Sequence, residues 1–444
     1  MSVPAYTSYK DSEIEWLGHI PASWHLQKFR YTFRESGEKI DSEVVGPMLS
    51  VSGYRGIEVK EYDDENRRRL DEDLVGYRIV RPGQLVVNTM WLNYAGLGIS
   101  EHEGHVSPAY RSYWLTADVN HRFIHHLLRS AIYVQGYTQL LTGIRPNSLQ
   151  MSRDDLMDFP ILIPPLPEQS AIAVFLDRET GKIDALVAEQ QRLIALLKEK
   201  RQAVISHAVT KGLNPAAPMK DSGIEWLGEV PAHWSVVPVK CAIVTTTSGP
   251  RGWSEMTSDD GAIFFQSQNI GRNMEIDLVE AKRIIVPEGP DAERARLNED
   301  DVIVCITGGR TGATAHARDI NIDAYINQHV CLLRPNTRMI SGRFLAYYMF
   351  SQAGQEQLNV AMYGLKQGLG LDQVRNILMG LPPVGEQIDV TQWLDHLVIG
   401  IGDLVSEAEA ATALLQERRA ALISAAVTGK IDVRGLVAKE EDAA

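Results

Sequence analysis

Residues 10–24 read KDSEIEWLGHIPASW, and residues 220–234 read KDSGIEWLGEVPAHW, an offset of 210 residues. Eleven of the fifteen paired positions are identical. Two later stretches recur at an offset of 218: IPPLPEQ at 163–169 returns as LPPVGEQ, and RQAVISHAVT at 201–210 returns as RAALISAAVT. Self-similarity at a nearly fixed offset is the mark of an internal repeat. The 444-residue chain is therefore predicted to be a tandem duplication.

The stretches between the repeated motifs, 25–160 and 235–380, show little mutual identity. Each half therefore consists of a constant entry segment, a variable block and a constant exit. Constant parts indicate a shared partner or scaffold, whereas variable parts indicate two different targets. The predicted order is an entry segment with the first block, a long helix, a linker with the second entry segment and block, and a C-terminal long helix with a tail, at 1–160, 161–212, 213–380 and 381–444.

The composition is that of a globular protein with 44% hydrophobic and 23% charged residues, and its length allows two or more domains. The formal net charge is −13, of which each variable block carries −2 and residues 381–444 carry −6. Such a balance predicts weak electrostatic attraction to nucleic acid by this chain alone. A basic partner would then supply many of the phosphate contacts.

The sequence predicts a cytoplasmic protein without disulfides and without a membrane span. No stretch approaches the ~18 apolar residues that a membrane helix needs, and the N-terminus MSVPAYTSYKD has no secretory pattern. The three cysteines, Cys241, Cys305 and Cys331, are far apart and form no C-x-x-C motif.

Two long helices are predicted at the exits. From 168 to 209 there is no proline, and Gly181 is the only glycine. Apolar residues recur at steps of three, four and seven, which is typical of a coiled coil. The predicted seam comprises Ile183, Leu186, Gln190, Leu193, Leu197 and Val204 in the first copy and Ile401, Leu404, Ala408, Ala411, Leu415 and Leu422 in the second. The two helices are predicted to pack on each other antiparallel; the alternative is that each packs against its own block.

Both variable blocks are predicted to be α/β. The runs at 84–89 and 301–307 are β-type, and 122–133 and 343–352 indicate helices. Each block ends in a proline corner, where a strand gives way to the long helix because proline cannot continue a ladder. The fold class is thus α/β (α+β): two variable blocks with mixed sheets and two long antiparallel coiled-coil helices in a pseudo-two-fold repeat.

No motif for catalysis is found, since the chain has no G-x-x-x-x-G-K-[ST], H-E-x-x-H or G-x-S-x-G. Asp41, Glu58 and Lys60 have the residue types of a metal-dependent nuclease, but such spacing is common by chance. GGRTG at 308–312 is better read as a tight turn than as a phosphate loop. The pair His125–His126 has no carboxylate or cysteine at ligand spacing and indicates a surface or helix-packing role rather than a metal site.

Polar and aromatic residues gather in loops of both blocks. Arginine, asparagine, glutamine and threonine are the types that read base edges in the major groove. Their recurrence in both halves favours DNA as the target, although any one of them is more often a solvated loop residue. The loops are NTMWLNYAGLG (88–98), HVSPAYRSY (105–113) and TGIRPNSLQ (142–150) in the first block and FQSQNIGRN (265–273), TGGRTGATAH (307–316), YINQHV (325–330) and YGLKQGLGL (363–371) in the second.

The entry motif W-L-G-x-[IV]-P-x-x-W, the exit motif [IL]-P-P-x-x-E-Q and the two variable blocks resemble the specificity subunit of type I restriction–modification enzymes. The resemblance covers nearly the whole chain. It implies a non-catalytic subunit whose variable blocks are target recognition domains for an asymmetric bipartite DNA site, and whose helices set the distance between them. The alternative is a scaffold or regulator of a DNA-modification or phage-defence system that has no active partner.

The resemblance also implies partners, cofactors and contact residues. Two adenine-N6 methyltransferase subunits would bring S-adenosylmethionine, and two motor-nuclease subunits would bring ATP and magnesium; the chain itself would hold no cofactor and no metal. By position, the implied DNA contacts are Asn88, Trp91, Ser107, Tyr110, Arg145 and Asn147 in the first block and Gln268, Asn269, Arg310, Thr311, Gln328, His329, Lys366 and Gln367 in the second. The implied partner surface is Gln190, Leu193, Leu197, Ala408, Ala411 and Leu415, with Trp16 and Trp226 nearby; Trp16 is alternatively a core anchor.

Overall fold

The structure is a computed structural model that describes residues 4–53, 55–62, 71–116, 118–143, 149–271, 273–320, 322–362 and 368–436. The chain divides into two compact units. The first unit comprises Met1–Gln191 and Ala410–Ala444, and the second comprises Arg192–Glu409. Each unit therefore takes its parts from both sequence repeats, because each long helix contributes to both units.

The first unit contains short strands, four short helices and the start of the first long helix. Its strands are β1 (Tyr9–Asp11), β2 (His19–Pro21), β3 (His25–Lys28), β4 (Phe33–Glu35), β5 (Leu49–Ser52), β6 (Gly56–Val59), β7 (Arg78–Val80), β8 (Leu85–Asn88), β9 (Leu97–Ile99), β10 (Gly104–Val106), β11 (Tyr110–Leu115) and β12 (Pro160–Ile163). Its helices are α1 (Phe29–Thr32), α2 (His121–Arg129), α3 (Ala131–Leu140), α4 (Arg153–Asp158), the first part of α5 (Leu166–Lys211) and the end of α10 (Val384–Val427).

The second unit also has twelve described strands and four short helices, together with the end of α5. Its strands are β13 (Met219–Asp221), β14 (Glu229–Pro231), β15 (Ser235–Pro238), β16 (Ile243–Ser248), β17 (Thr257–Ser258), β18 (Ala262–Phe265), β19 (Lys282–Ile284), β20 (Val302–Cys305), β21 (Thr314–His316), β22 (Ala324–Ile326), β23 (Val330–Pro335) and β24 (Leu378–Leu381). Its helices are α6 (Pro290–Ala295), α7 (Gly342–Phe350), α8 (Gln352–Ala361), α9 (Leu371–Arg375) and the first part of α10 (Val384–Val427).

Each block contains a four-stranded sheet of the same topology, despite the different sequences of the two blocks. In the first unit four antiparallel strands lie in the order β4-β11-β8-β9, and in the second unit the order is β16-β23-β20-β21. The central strand in each unit is buried on both faces: Val86 and Val87 of β8 face two different cores, as do Ile303 and Val304 of β20. Continuous apolar runs are expected for such doubly buried strands. The α/β prediction is confirmed.

A second sheet distinguishes the second block. Its strand order is β17-β19-β18-β22, and β18 and β22 run parallel, so this sheet is mixed as predicted. The strand pairs of the first block are antiparallel wherever the structure describes a named strand.

Each block begins and ends on a two-stranded ribbon. Strand β3 of the first entry pairs antiparallel with β12 at the block's end, and β15 pairs with β24 in the same way. The entry tryptophan Trp16 packs on this end of the first block, 5.2 Å from the ring of Tyr133 and 5.6 Å from that of Phe159. The alternative of a core anchor therefore holds for Trp16, whereas its counterpart Trp226 is exposed.

The glutamine of the exit motif joins the proline corner to the block. The buried Gln169 side chain donates to the Pro164 carbonyl at 2.8 Å and accepts from the backbone N–H of Asn120 at 2.8 Å. Asn120 caps α2, where its side chain accepts two backbone N–H groups. Gln387 makes the same two bonds in the second unit, at 2.9 Å each. The repeated residue is thus explained by a buried amide whose donor and acceptor are both used.

Replacing Gln169 by alanine is expected to destabilise the first unit by about 2–4 kcal/mol, because two buried backbone groups lose their partner. Urea unfolding followed by tryptophan fluorescence measures the loss. Gln191→Ala, at an exposed position of the same helix, is the matched control and should change the midpoint little. An equal effect of both substitutions would contradict the role assigned to the buried amide.

The long helices run antiparallel within each unit. In the first unit Asp184 of α5 pairs with Arg419 of α10 at 2.8 Å, while Glu168 at the start of α5 lies 3.7 Å from Arg434, which follows α10. In the second unit Lys198 lies 3.7 Å from Glu409, nearer the middle of α10. The predicted antiparallel packing is confirmed within each unit. The alternative, in which each long helix packs against its own block, also holds in part, because the start of α5 enters the core of the first block.

The predicted coiled-coil seam is half correct. Its buried and half-buried positions alternate by four and three residues: Ile183, Val187, Gln190, Ile194, Leu197 and Arg201 in α5, and Val398, Ile401, Val405, Ala408, Thr412 and Leu415 in α10. Leu186, Leu193 and Leu404 are exposed instead, and the true second seam position lies one residue later in both helices. Leu186 follows Ile183 by three residues, which is a rotation of about 300° around the helix axis. Its side chain therefore points about 60° away from that of Ile183 and off the seam. The apolar pattern of the sequence could not show which of two adjacent residues faces the seam, since leucine and the neighbouring valine or isoleucine are equally apolar.

Both long helices end on a glycine in the left-handed conformation. Gly212 has φ +70° and Gly429 has φ +71°. A Cβ at Gly212 would lie 3.3 Å from the ring of Trp234, and one at Gly429 would lie 2.3 Å from Pro21. The first helix thus ends on the second entry segment, and the second helix ends on the first. None of the described helices is long and apolar enough to span a membrane.

Candidate nucleic-acid interface

In the first unit, predicted contact residues meet at one end of the four-stranded sheet. Asn88 ends β8 and lies opposite Tyr110, which begins β11. The buried Asn88 side chain accepts the backbone N–H of Met90 at 3.2 Å, and the Ser107 carbonyl accepts the N–H of Tyr110 at 3.0 Å. Burial raises the pKa of Tyr110, and a hydrogen bond with Asn88 opposes this rise. Asn88 therefore shapes the turn beneath the loop.

The loop that follows carries two exposed aromatic rings. Trp91 is 55% exposed and Tyr94 is 54% exposed, and their ring centroids lie 5.6 Å apart. Met90 beside them is also exposed. We name Met90, Trp91 and Tyr94 the aromatic tip. It projects from the same end of the sheet as Tyr110.

Helix α2 holds the loops at this end with two side chains one turn apart. Arg129 donates to the carbonyls of Ala95 and Leu97 on one loop, at 3.1 and 2.6 Å, and to those of Ser52 and Gly53 on the β5–β6 hairpin, at 3.2 and 2.8 Å. Burial lowers the pKa of its guanidinium to about 10. Sequence reasoning missed Arg129, because a cation in a helix gives no sign that its partners are distant backbone carbonyls.

His125 lies beneath the same hairpin. Its Nδ1 accepts the backbone N–H of Ile99 at 3.3 Å, and a Cβ at Gly56 would approach its ring to 2.8 Å. The acceptor role requires the neutral ring. Burial first, and then the neighbouring Arg129 charge, lowers the pKa of His125 to about 3. His125 is thus half-buried beneath the hairpin of the first block, whereas the sequence also allowed a role at the surface.

The stability of the first unit should fall as pH is lowered from about 6.5 towards 3. In this window the unfolded chain protonates His125 and the folded chain does not, so acid favours unfolding by up to about 1.4 kcal/mol per pH unit. Urea unfolding at pH 7, 6 and 5 measures the slope. His125→Gln should remove this part of the slope, and His102→Gln, at an exposed position, should keep it. Equal slopes in the wild-type protein and in His125→Gln would refute a buried neutral histidine.

The opposite face of α2 binds the long helix. Asp177 of α5 accepts from His126 at 2.9 Å and pairs with Arg122 at 2.6 Å. Burial opposes ionisation of Asp177, but these hydrogen bonds outweigh it and hold its pKa below the usual range. In the second unit Asp395, 218 residues later, accepts from Arg343 and Tyr347 of α7, at 2.7 and 2.6 Å. Both blocks are thus anchored by a carboxylate at the same position of the repeat.

The second unit places a different set of side chains at the equivalent end of its sheet. Arg310, in the turn after β20, donates to the carbonyls of Ser267, Gln268 and Ile270. Gln268 is exposed, whereas Asn269 is buried and donates to the Asp277 carbonyl. Arg310 therefore fixes the loop that presents Gln268. GGRTG forms the predicted tight turn, with positive φ at Gly308 and Gly312.

Two further predicted residues adjoin this turn. His329 is exposed just before β23, and its Nδ1 lies 2.6 Å from the Thr307 hydroxyl. Gln328 lies beside it, with its amide nitrogen 3.3 Å from His329 Nε2. Thr311 uses its hydroxyl within the turn, donating to the Gly308 carbonyl at 2.7 Å. Gln268 and His329 are thus exposed at this end of the sheet, and Gln328 is half-buried.

Four predicted contacts lie outside the described residues: Arg145, Asn147, Lys366 and Gln367. Among the described residues no group of three or more histidine, cysteine, aspartate or glutamate side chains could hold a metal ion. Two of the three residues of nuclease type have other contacts: Glu58 pairs with Arg55 at 2.6 Å, and Lys60 lies over the ring of Tyr62.

The predicted partner residues divide between the seam and the outer face of the helices. Ala408 is buried, and Gln190, Leu197, Ala411 and Leu415 are half-buried; of the six, Leu193 alone is exposed. The outer face carries leucines that sequence reasoning placed elsewhere or overlooked. Leu186 and Leu404 are equivalent in the repeat and are 52% and 50% exposed, and Leu196 and Leu414 form a second exposed equivalent pair. Their recurrence at an offset of 218 was the available signal.

Comparisons with known proteins agree with this architecture. The chain is 24% identical over 288 residues to the type I restriction enzyme StySPI specificity subunit of Salmonella potsdam, which covers 63% of this chain and 58% of that protein. It is 25% identical over 326 residues to the EcoBI specificity subunit of Escherichia coli, covering 70% and 66%. The chain thus spans about three fifths of the length of these relatives. No protein-family model matches it.

Solved structures show the same fold. A chain from work on complex assembly and conformational transition of the type I R-M system has a TM-score of 0.70 at 15% identity, covering 93% of this chain and 99% of that one. The HsdS subunit from Thermoanaerobacter tengcongensis has a TM-score of 0.50 at 17% identity, covering 93% and 98%. The chain is therefore similar in sequence to specificity subunits of type I restriction enzymes and shares the fold of solved type I R-M chains.

Proposed function

We propose that this chain is the DNA sequence-recognition subunit of a type I restriction–modification complex, and that each block reads one half of an asymmetric bipartite site. The observation that carries the proposal is that each unit has a four-stranded sheet of the same topology. At the equivalent end of the sheet, the two units present different side chains. The first unit presents Trp91 and Tyr94, and the second presents Gln268, Gln328 and His329. One scaffold with two unlike surfaces is suited to two unlike half-sites.

The charge distribution supports a dependence on partners. Glu35 in the first block pairs with Arg111 at 3.1 Å, Arg153 at 3.3 Å and Arg78 at 3.6 Å. One carboxylate balances only one of these three guanidinium charges, so the cluster remains locally basic. The whole chain nevertheless carries −13, which predicts weak overall attraction for phosphate. The partner would therefore hold much of the DNA backbone, while this chain contributes base contacts.

The proposed partners are two adenine-N6 methyltransferase subunits, joined by two motor-nuclease subunits. Two copies of one partner require two equivalent surfaces, and the exposed pairs Leu186/Leu404 and Leu196/Leu414 offer such a repeat along the helices. Exposed apolar stripes on helices commonly mark helix-in-groove or bundle contacts. The chain is proposed to be non-catalytic, with S-adenosylmethionine, ATP and magnesium held by the partners.

The proposal is tested by expressing the chain with the adenine methyltransferase from the same genome in a host that lacks restriction systems. Long-read mapping of N6-methyladenine should give one bipartite motif with a fixed gap, methylated on both strands. An assembled complex that methylates no defined motif would favour a scaffold or regulator instead.

A seven-residue insertion in each long helix should lengthen the gap of the motif and keep both half-sites. Insertions after Leu193 and after Ala411, at equivalent positions of the repeat, preserve the phase of the seam because seven residues make one heptad. The same methylation map measures the gap. A four-residue insertion is the out-of-phase control, and an unchanged gap in the seven-residue variant would show that the helices do not set the distance.

A further inference from the structure

The aromatic tip of the first unit is held rigidly although its rings are exposed. Leu92 is fully buried beneath it, and the N–H of Gly96 donates back to the Trp91 carbonyl at 2.8 Å. A Cβ at Gly96 would lie 2.5 Å from that carbonyl oxygen, so this close turn requires glycine. Ala95 takes a positive φ of 54°, which a non-glycine residue adopts only at a cost. Such a turn presents Trp91 and Tyr94 in a fixed position.

Arg129 secures this turn from below. Its guanidinium donates four hydrogen bonds to backbone carbonyls, two on the tip loop and two on the neighbouring β5–β6 hairpin. Its guanidinium is therefore committed to joining two loops. Removing it would free both loops without touching either exposed ring.

The tip has no counterpart in the second unit. The equivalent stretch after β20 is TGGRTG, which carries no aromatic residue, whereas the outward leucines of the helices recur in both copies. A partner that binds twice would be expected to meet surfaces that occur twice. A surface that occurs once is suited to a ligand that differs between the units, and on the proposed function that ligand is the half-site.

We propose, on the basis of that proposed function, that the aromatic tip reads the first block's half-site through apolar contact with bases, and that Arg129 is the positioning residue for it. Planar rings with few donors contact the 5-methyl group of thymine or the face of an unstacked base. The second unit instead offers hydrogen-bonding groups, so the two half-sites are read by different chemistry.

The experiment uses the complex of the full chain with its methyltransferase. Initial methylation rates are measured on duplexes that carry the mapped site and on duplexes with each base pair of it replaced in turn. Trp91→Ala should lower the rate on the mapped site by about 10- to 100-fold, the range for loss of an aromatic contact with one base. It should also lose discrimination at one or two positions of one half-site only, and Trp91→Phe should restore much of it.

Tyr31→Ala is the matched control. Tyr31 is exposed and lies in α1, next to Phe33, which pairs with Leu115 at the far end of β11 from Tyr110. This variant should keep the wild-type rate and discrimination. If Trp91→Ala behaves like it, the proposal is overturned. Loss of the methyltransferase from the Trp91→Ala complex on gel filtration would overturn it too, since the tip would then contact protein.

Two modified duplexes identify the source of the contact. If uracil in place of thymine abolishes the difference between wild-type protein and Trp91→Ala, the tip contacts the methyl group. If the difference persists and 2-aminopurine fluorescence at that position depends on Trp91, the tip contacts a base face. If the wild-type complex methylates no defined motif, the proposed function is overturned instead. That result is obtained before any variant is made, so the two failures are distinguishable.

Arg129→Lys keeps the positive charge but removes the planar guanidinium, which donates to carbonyls on both loops. It should lose discrimination in the same half-site as Trp91→Ala, and the double variant should be no worse than Trp91→Ala alone, because both act through one tip. Its thermal midpoint, measured in parallel, reports any loss of folding. Effects that multiply in the double variant would overturn the positioning role of Arg129.

Discussion

The rest of each unit depends on one buried amide at the proline corner. Gln169 and Gln387 each join the corner, where a strand becomes a long helix, to the first residues of a block helix. Without this amide the backbone groups at the corner would be buried and unpaired, which proteins rarely tolerate. The long helix therefore leaves the block in a fixed direction. The variable sequence between entry and exit can change freely, provided that its ribbon and its capped helix still reach this amide.

The block helix passes that constraint on to the loops. In the first unit α2 places Arg122 and His126 against Asp177 of the long helix, and one turn apart on another face it places His125 and Arg129 beneath the β5–β6 hairpin and the aromatic tip. A single three-turn helix thus connects the scaffold to the proposed DNA-reading surface through buried polar contacts. Second-layer groups of this kind determine how precisely a binding surface is held.

The duplication, the α/β blocks and the long helices could be predicted from sequence, because repeats, apolar runs and heptad spacing are local signals. The seam was misplaced by one residue at Leu186 and Leu404, since both flanks of the helix are apolar and only packing distinguishes them. The role of Gln169 could not be predicted, because its partners are backbone groups far along the chain. Of the contact residues, Trp91 lies outward as expected, whereas Asn88 and Asn269 are buried; residue type alone does not reveal which way a side chain faces.

The closing contacts of the first unit have a consequence for how such chains can vary. The N–H of Asp432 donates to the Pro4 carbonyl at 2.7 Å, and the Tyr9 hydroxyl donates to the Gly429 carbonyl at 3.0 Å. An entry segment thus adjoins the end of a long helix within the first unit, as Gly212 adjoins Trp234 within the second. Each unit is closed by one such junction between an entry segment and the end of a long helix. Which block is translated first is then a property of the gene and not of the folded protein, so exchanging the order of the halves would leave every contact within each unit in place.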